Sequence, residues 1–244
     1  LLKRKFGVPE ARIYPTPDCV NADAFSLGVL SDIEKKVLRD ELGLPPEKQV
    51  IVYLGLLAEY QGTGLLLEAI QLLKKERDDF HLLLMGYPSV EYYRAVAADL
   101  GVSHVVTFTG RIPYQDAPRY LALGDLAVAP KISATEGSGK ILNYMSMALP
   151  TAAFDTPVSR EYLGEWGVYA SERTAQALAA TLRQLLDMRR TERVALGRRL
   201  RGRARALFSW DRVGEQLVAV YRALIEGEPL PHIVVERPAS VQHG

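Results

Sequence analysis

Five short apolar runs, each separated from the next by a stretch of helical periodicity, leave this chain very few folds. The first, QVIVYLG at 49–55, holds no charge, as expected of a strand covered on both faces. Runs at 80–85, 104–109 and 126–130 and one beginning at Thr151 repeat it. Between them lie amphipathic stretches at 62–77, 90–100 and 116–123 and one of roughly 9–10 residues from Lys140. Strands alternating with helices predict an α/β fold, a doubly wound, Rossmann-like parallel sheet. Three runs close on glycine, at Gly55, Gly86 and Gly110, where the backbone can turn sharply or approach a ligand along one sheet edge.

Upstream, RIYPTPDCVNADAF at 12–25 reads as a brief strand entering an irregular linker. Ser31-Asp32-Ile33-Glu34 fits a capping box whose helix should stop near Gly43. Past the fifth run come a short helix or loop at 156–166 and a last short strand at Val168-Tyr169. Three helices follow at about 173–187, 191–207 and 210–226, the last capped by Ser209. The expected organisation is a linker with a first strand at 1–30, one domain at 31–226 and a loosely held tail at 227–244.

The 30 Lys and Arg against 29 Asp and Glu give a formal charge of +1, so no bulk attraction to nucleic acid or to membrane is expected. The single Cys19 excludes an internal disulfide and offers no zinc spacing. No apolar run approaches the roughly 20 residues a bilayer requires. The opening LLKRKFGVPEA is too broken by charge and proline for a signal peptide and reads as the interior of a longer protein. A cytoplasmic location is the expectation.

The arginines at 189–205 read as a solvated helix face, and Asp78-Asp79 as a loop. His81 and His104 stand at strand starts, His232 and His243 in the tail, and neither a dinucleotide fingerprint nor a nucleophile elbow is present. The turn Glu136-Gly137-Ser138-Gly139-Lys140 differs from all of these. It places a carboxylate, two glycines, a hydroxyl and an ammonium between a strand's end and a helix start, where backbone N–H groups and the helix dipole favour an anion.

The order of these features resembles the carboxyl-terminal, donor-binding half of family-four retaining glycosyltransferases of the GT-B fold. Pro17-Asp18-Cys19-Val20-Asn21 through Phe25 is similar to that family's P-N-G-V-D…F, and YLGLLAEYQGTGLLLEAI at 53–70 to its Y-x-G-R-L-x-x-x-K-G pattern. VTFTGRIPYQDAPRYLALGDLAVAP at 106–130 and EGSGKILNYMSMALP at 136–150 resemble two further family motifs in the right order. The resemblance implies a donor that is a nucleotide diphosphate sugar, an acceptor held by a missing amino-terminal domain, and no metal or other cofactor. It further implies that Gly110, Arg111 and Ile112 line the base pocket, that Glu136 stands near the sugar, and that Gly137, Ser138 and Gly139 face the diphosphate.

Leu56 stands where the family has its diphosphate-gripping Arg, Gln61 where it has Lys, and Asn143 where it has a second acid, one residue closer to Glu136 than usual. The counter-charge is then expected from Lys140, a catalytic candidate beside Glu136, and from Arg111, with Lys131 behind them. Gly55 and Gly86 complete the expected donor site. Two other readings stay open: a degenerate, non-catalytic member kept as a binding or assembly module, and a nucleotide-sugar epimerase of similar architecture. Membrane-surface contact through the absent amino-terminal domain fits the glycosyltransferase reading; nucleic acid fits none.

Overall fold

The structure is a computed structural model and describes residues 2–133 and 136–231. Six parallel strands form one sheet: β1 (Gln49–Leu56), β2 (Phe80–Tyr87), β3 (Val106–Gly110), β4 (Leu126–Ala129), β5 (Thr151–Phe154) and β6 (Val168–Ala170). Their order is β3-β2-β1-β4-β5-β6. The chain therefore reverses direction across the sheet between β1 and β4.

Ten helices surround it: α1 (Leu2–Phe6), α2 (Asp32–Glu41), α3 (Thr63–Lys74), α4 (Val90–Asp99), α5 (Ala117–Leu121), α6 (Gly139–Ser146), α7 (Pro157–Leu163), α8 (Ala175–Asp187), α9 (Arg190–Leu207) and α10 (Trp210–Glu226) among the described residues. Alternate residues of a strand face opposite ways. Ile51 and Tyr53 thus join a core with Leu66 and Ile70 of α3 and Leu182 of α8, while Val50 and Val52 join one with Leu142 of α6 and Leu200 of α9. Both faces being covered is why the strand sequences run apolar without alternation.

The capping box forms, with Ser31 N donating to Glu34 Oε2 at 2.7 Å and Glu34 N to Ser31 Oγ at 3.3 Å. The brief strand expected in 12–25 does not. Glu10–Arg12 is a 3-10 turn, and Pro15 and Pro17 have no N–H for a ladder. Only Val20 pairs, its N–H on Phe208 O at 2.8 Å and its carbonyl accepting from Trp210 N at 3.1 Å. Nor is this segment loose, because Val20, Phe25 and Leu30 are buried in the second core. The third strand begins later than expected, since Ser103–Val105 turns as a 3-10 helix, and the helix expected at 116–123 is a 3-10 turn at Tyr114–Asp116 followed by the short α5. The helix from the central turn is likewise shorter, ending at Ser146. His232 and His243 and most of the tail lie outside the described residues.

Arg189, Arg190, Arg198, Arg199 and Arg205 are exposed, as expected of a solvated face, but three arginines of α9 turn inward. Arg193 is buried, and its guanidinium donates to Leu185 O, Leu186 O and Met188 O at the end of α8, at 3.2, 3.0 and 3.2 Å. Arg201 donates to Ser146 O at the end of α6 and to Phe25 O at 3.2 Å. Arg203 takes Tyr162 O and Glu161 O near the end of α7, at 2.8 and 3.0 Å. The last carbonyls of a helix lack intrahelical partners and carry its negative dipole end, so a cation there satisfies both needs. One helix thereby closes three others.

Against this helix the turn from α6 to β5 is tight. Ala148 holds φ 53°, and a Cβ on Gly197 of α9 would stand 1.9 Å from Ala148 O. The left-handed region costs an L-residue roughly 1–2 kcal/mol. Ala148→Gly should therefore raise the free energy of unfolding in urea by roughly 0.5–1 kcal/mol, after the added freedom of the unfolded chain is subtracted. A loss of stability in that variant would contradict the strained turn.

Candidate functional site

Where the chain reverses between β1 and β4, a cleft of about 530 Å³ opens over the carboxyl ends of the strands. Such a switch point leaves the loops on either side diverging, and its volume suits a small organic ligand. One wall is the end of β1 with Gln61, and a second the end of β2 from Met85 to Tyr87. The third is Arg111 to Tyr114 after β3, and the fourth is Gly137 to Lys140 with Asn143 of α6.

Gly55, Leu56, Gln61, Gly86, Arg111, Ile112, Gly137, Ser138, Gly139, Lys140 and Asn143 all line this cleft. Glu136 and Gly110 do not line it. Gly110 ends β3 at φ 71° and turns the chain into Arg111. Glu136 is exposed, and its carboxylate lies 3.3 Å from Lys131 Nζ on the far side of the loop.

Cys19, Leu54, Met85, Tyr87, Pro113, Tyr114 and Ala117 complete the lining without having been expected. Cys19 and Tyr114 come from a linker and a turn with no periodicity to read. Tyr87 offers a signal, as an aromatic directly after a strand-ending glycine. The Arg111 guanidinium lies 5.0 Å from its ring centroid. Tyr114 Oη donates to Asn143 Oδ1 at 3.1 Å, and its ring packs against Phe25.

Lys140 leaves the first turn of α6 and crosses the cleft floor to β1. Its Nζ donates to Gln61 Oε1 at 2.8 Å and to Tyr53 Oη at 3.1 Å, and stands 4.3 Å from the Tyr53 ring centroid. Every one of these partners is neutral. Tyr53 Oη in turn donates to Leu56 O at 2.7 Å, and burial holds its pKa well above that of an ordinary phenol. Room for the ammonium comes from Gly55, where a Cβ would stand 2.6 Å from Nζ. Burial first, and the charge of Lys131 second, push the Lys140 pKa down to about 7.

Ser138, at the N-cap of α6, is buried, makes no side-chain cap bond, and its Oγ has no hydrogen-bond partner among the described residues. The start of α6 therefore presents N–H groups, a hydroxyl and an ammonium to one small volume. A planar guanidinium on an aromatic ring lies across from them. That combination accepts a compact anion at one end and a flat ring at the other.

Residues 48–188 match the family described as Glycosyl transferases group 1. Over 218 residues the chain is 28% identical to the D-inositol 3-phosphate glycosyltransferase of Segniliparus rotundus, covering 84% of its own length and 46% of that protein. It spans about half the length of the curated relatives it matches, with 46% and 48% of two of them covered. In fold it is similar to a glycosyltransferase from Rickettsia africae, with a TM-score of 0.81 at 17% identity over 93% of this chain and 61% of that one. It is also similar to HepE of Anabaena, solved with UDP and glucose, with a TM-score of 0.73 at 17% identity over 84% and 55% of the two chains.

A depressed lysine pKa fixes the sign of a stability effect. The unfolded chain binds the Lys140 proton more tightly than the folded one, so stability should rise with pH from about 7 toward the ordinary lysine value and be insensitive to this group below 7. From pH 7 to pH 9 the wild type should gain roughly 1–2 kcal/mol over Lys140→Met in urea unfolding. Parallel pH profiles for the two proteins would contradict the desolvated ammonium.

Proposed function

The chain belongs to the group 1 glycosyl transferases, and on that basis we propose that it is the donor-binding half of a longer enzyme. That enzyme moves a sugar, with retention, from a nucleotide diphosphate sugar to an acceptor held by an amino-terminal half. The observation that carries the reading is Lys140: a partly buried ammonium with only neutral partners among the described residues, aimed into the cleft at the start of α6. A cation in that setting is most stable once an anion joins it.

In this reading the diphosphate lies against Gly137–Gly139 and Lys140, and the base against Arg111 and Ile112 beside Tyr87. Glu136, held outside the cleft by Lys131, takes no direct part in this arrangement. Transfer proceeds by stabilising the departing diphosphate, whose charge builds as the glycosidic bond breaks, and preformed N–H groups with one ammonium supply that field without a metal. UDP bound by HepE, a protein of the same fold, supports the donor class. The half-length match and the exposed Trp210, Tyr221 and Leu224 of α10 support a further domain beside this one. No described helix is long and apolar enough to cross a membrane, and we place the enzyme in the cytoplasm.

Leu56, Gln61 and Asn143 put neutral groups where charge would be expected, which favours a second reading as a non-catalytic binding module. Sugar transfer by the full-length protein with any of a panel of nucleotide sugars would exclude it.

Titration calorimetry tests the donor site itself. UDP or GDP should bind this chain measurably, and Lys140→Ala should weaken that binding by roughly 1.5–3 kcal/mol while changing affinity for the free nucleoside little. Heats of dilution alone for every nucleoside diphosphate tried would remove the proposal.

A further inference from the structure

We propose that Lys131 is a positioning residue, which holds the cleft-lining loop from behind and so sets how that loop meets the phosphates of a bound nucleotide. The proposal rests on the donor-binding reading above. Lys131 follows β4 directly, is only 7% exposed and does not line the cleft. Its Nζ donates to Gly137 O at 2.8 Å and to Glu136 O at 3.0 Å, with Glu136 Oε2 at 3.3 Å.

A peptide is planar, with its N–H directed opposite its carbonyl. Holding the carbonyls of Glu136 and Gly137 therefore turns the N–H groups of Gly137 and Ser138 away from Lys131. Gly137 and Ser138 line the cleft. An ammonium on a carbonyl also polarises the amide, which makes its N–H a stronger donor toward an anion. Lys131 thus acts on the cleft through the Glu136–Gly137 peptide without entering it, while the N–H of the next peptide, on Ser138, is turned to Tyr162 Oη.

The loop is held from its other side as well. Tyr162 Oη donates to Asp18 Oδ2 at 2.9 Å, and the Ser138 N–H faces that same hydroxyl. A Cβ at position 137 would stand 2.1 Å from Asp18 Oδ2, so only glycine lets the loop lie this close. The grip also keeps Glu136 outside the cleft, paired with the ammonium that orders the loop.

Three proteins test this: wild type, Lys131→Met, which keeps most of the stem and loses the charge, and Lys131→Arg. Lys131→Met should bind UDP roughly tenfold more weakly than wild type, with uridine affinity changed less than about twofold. Its Gly137 and Ser138 amides should exchange hydrogen roughly tenfold faster. Lys131→Arg should return both readouts to near wild type, because a guanidinium can also donate to two carbonyls.

Equal loss of UDP and uridine binding, unrepaired by arginine, would mark Lys131 as merely structural and overturn the proposal. Faster exchange with unchanged UDP affinity would overturn it too. Were the wild type to bind no nucleoside diphosphate, the donor reading would fall separately. The exchange arm would then decide the loop clamp alone, and unchanged exchange would overturn it.

Discussion

The ammonium of Lys140 rests on an amide oxygen, a phenol oxygen and the face of one ring, all in a cleft from which much of the water is excluded. Removing a cation from water without an opposing charge is costly, and the depressed pKa near 7 is the measure of that cost. An anion entering the cleft relieves it. The stability lost in the empty protein is in this sense returned as affinity, which is how a site with few formal charges can still hold a phosphate.

Such an ammonium is useful only if the helix carrying it stays in place. The N-terminal end of α6 opens into the cleft, and its C-terminal end is fixed by Arg201 on Ser146 O and by the strained Ala148 turn wedged against Gly197. Its flank packs with Leu142 and Met145 in the second core. The binding end of the helix is therefore positioned by contacts made at its opposite end. The surface that a ligand would meet is the exposed edge of a buried network.

The sheet was legible because burial on both faces leaves the same signature in every strand, and Ser31 and Ser209 cap helices where local rules put them. The strand sequences also located the cleft, since Gly55 and Gly86 fall in register at its floor. Less local features were hidden. The arginines of α9 have the same spacing whether they meet water or carbonyls, and only the packed helices decide. Val20 pairs beside Ser209, a contact between distant parts of the chain that no local pattern announces. Lys140 was readable as a candidate, but the direction of its stem depends on the bare Cα of Gly55, a neighbour only in three dimensions. Glu136 matched a motif, yet Lys131 takes its carboxylate to the other side of the loop.

The central claim is that Lys140 is the counter-charge to a bound phosphate, and proton uptake on binding addresses it most directly. Calorimetric titration of UDP at about pH 8 in two buffers of different ionisation enthalpy gives the number of protons taken up. With the free-state pKa near 7, Lys140 is largely neutral at that pH and must gain a proton when the anion arrives. The account predicts uptake of most of one proton per UDP by the wild type and close to none by Lys140→Met. Binding by the wild type without proton uptake, or equal uptake by both proteins, would contradict it.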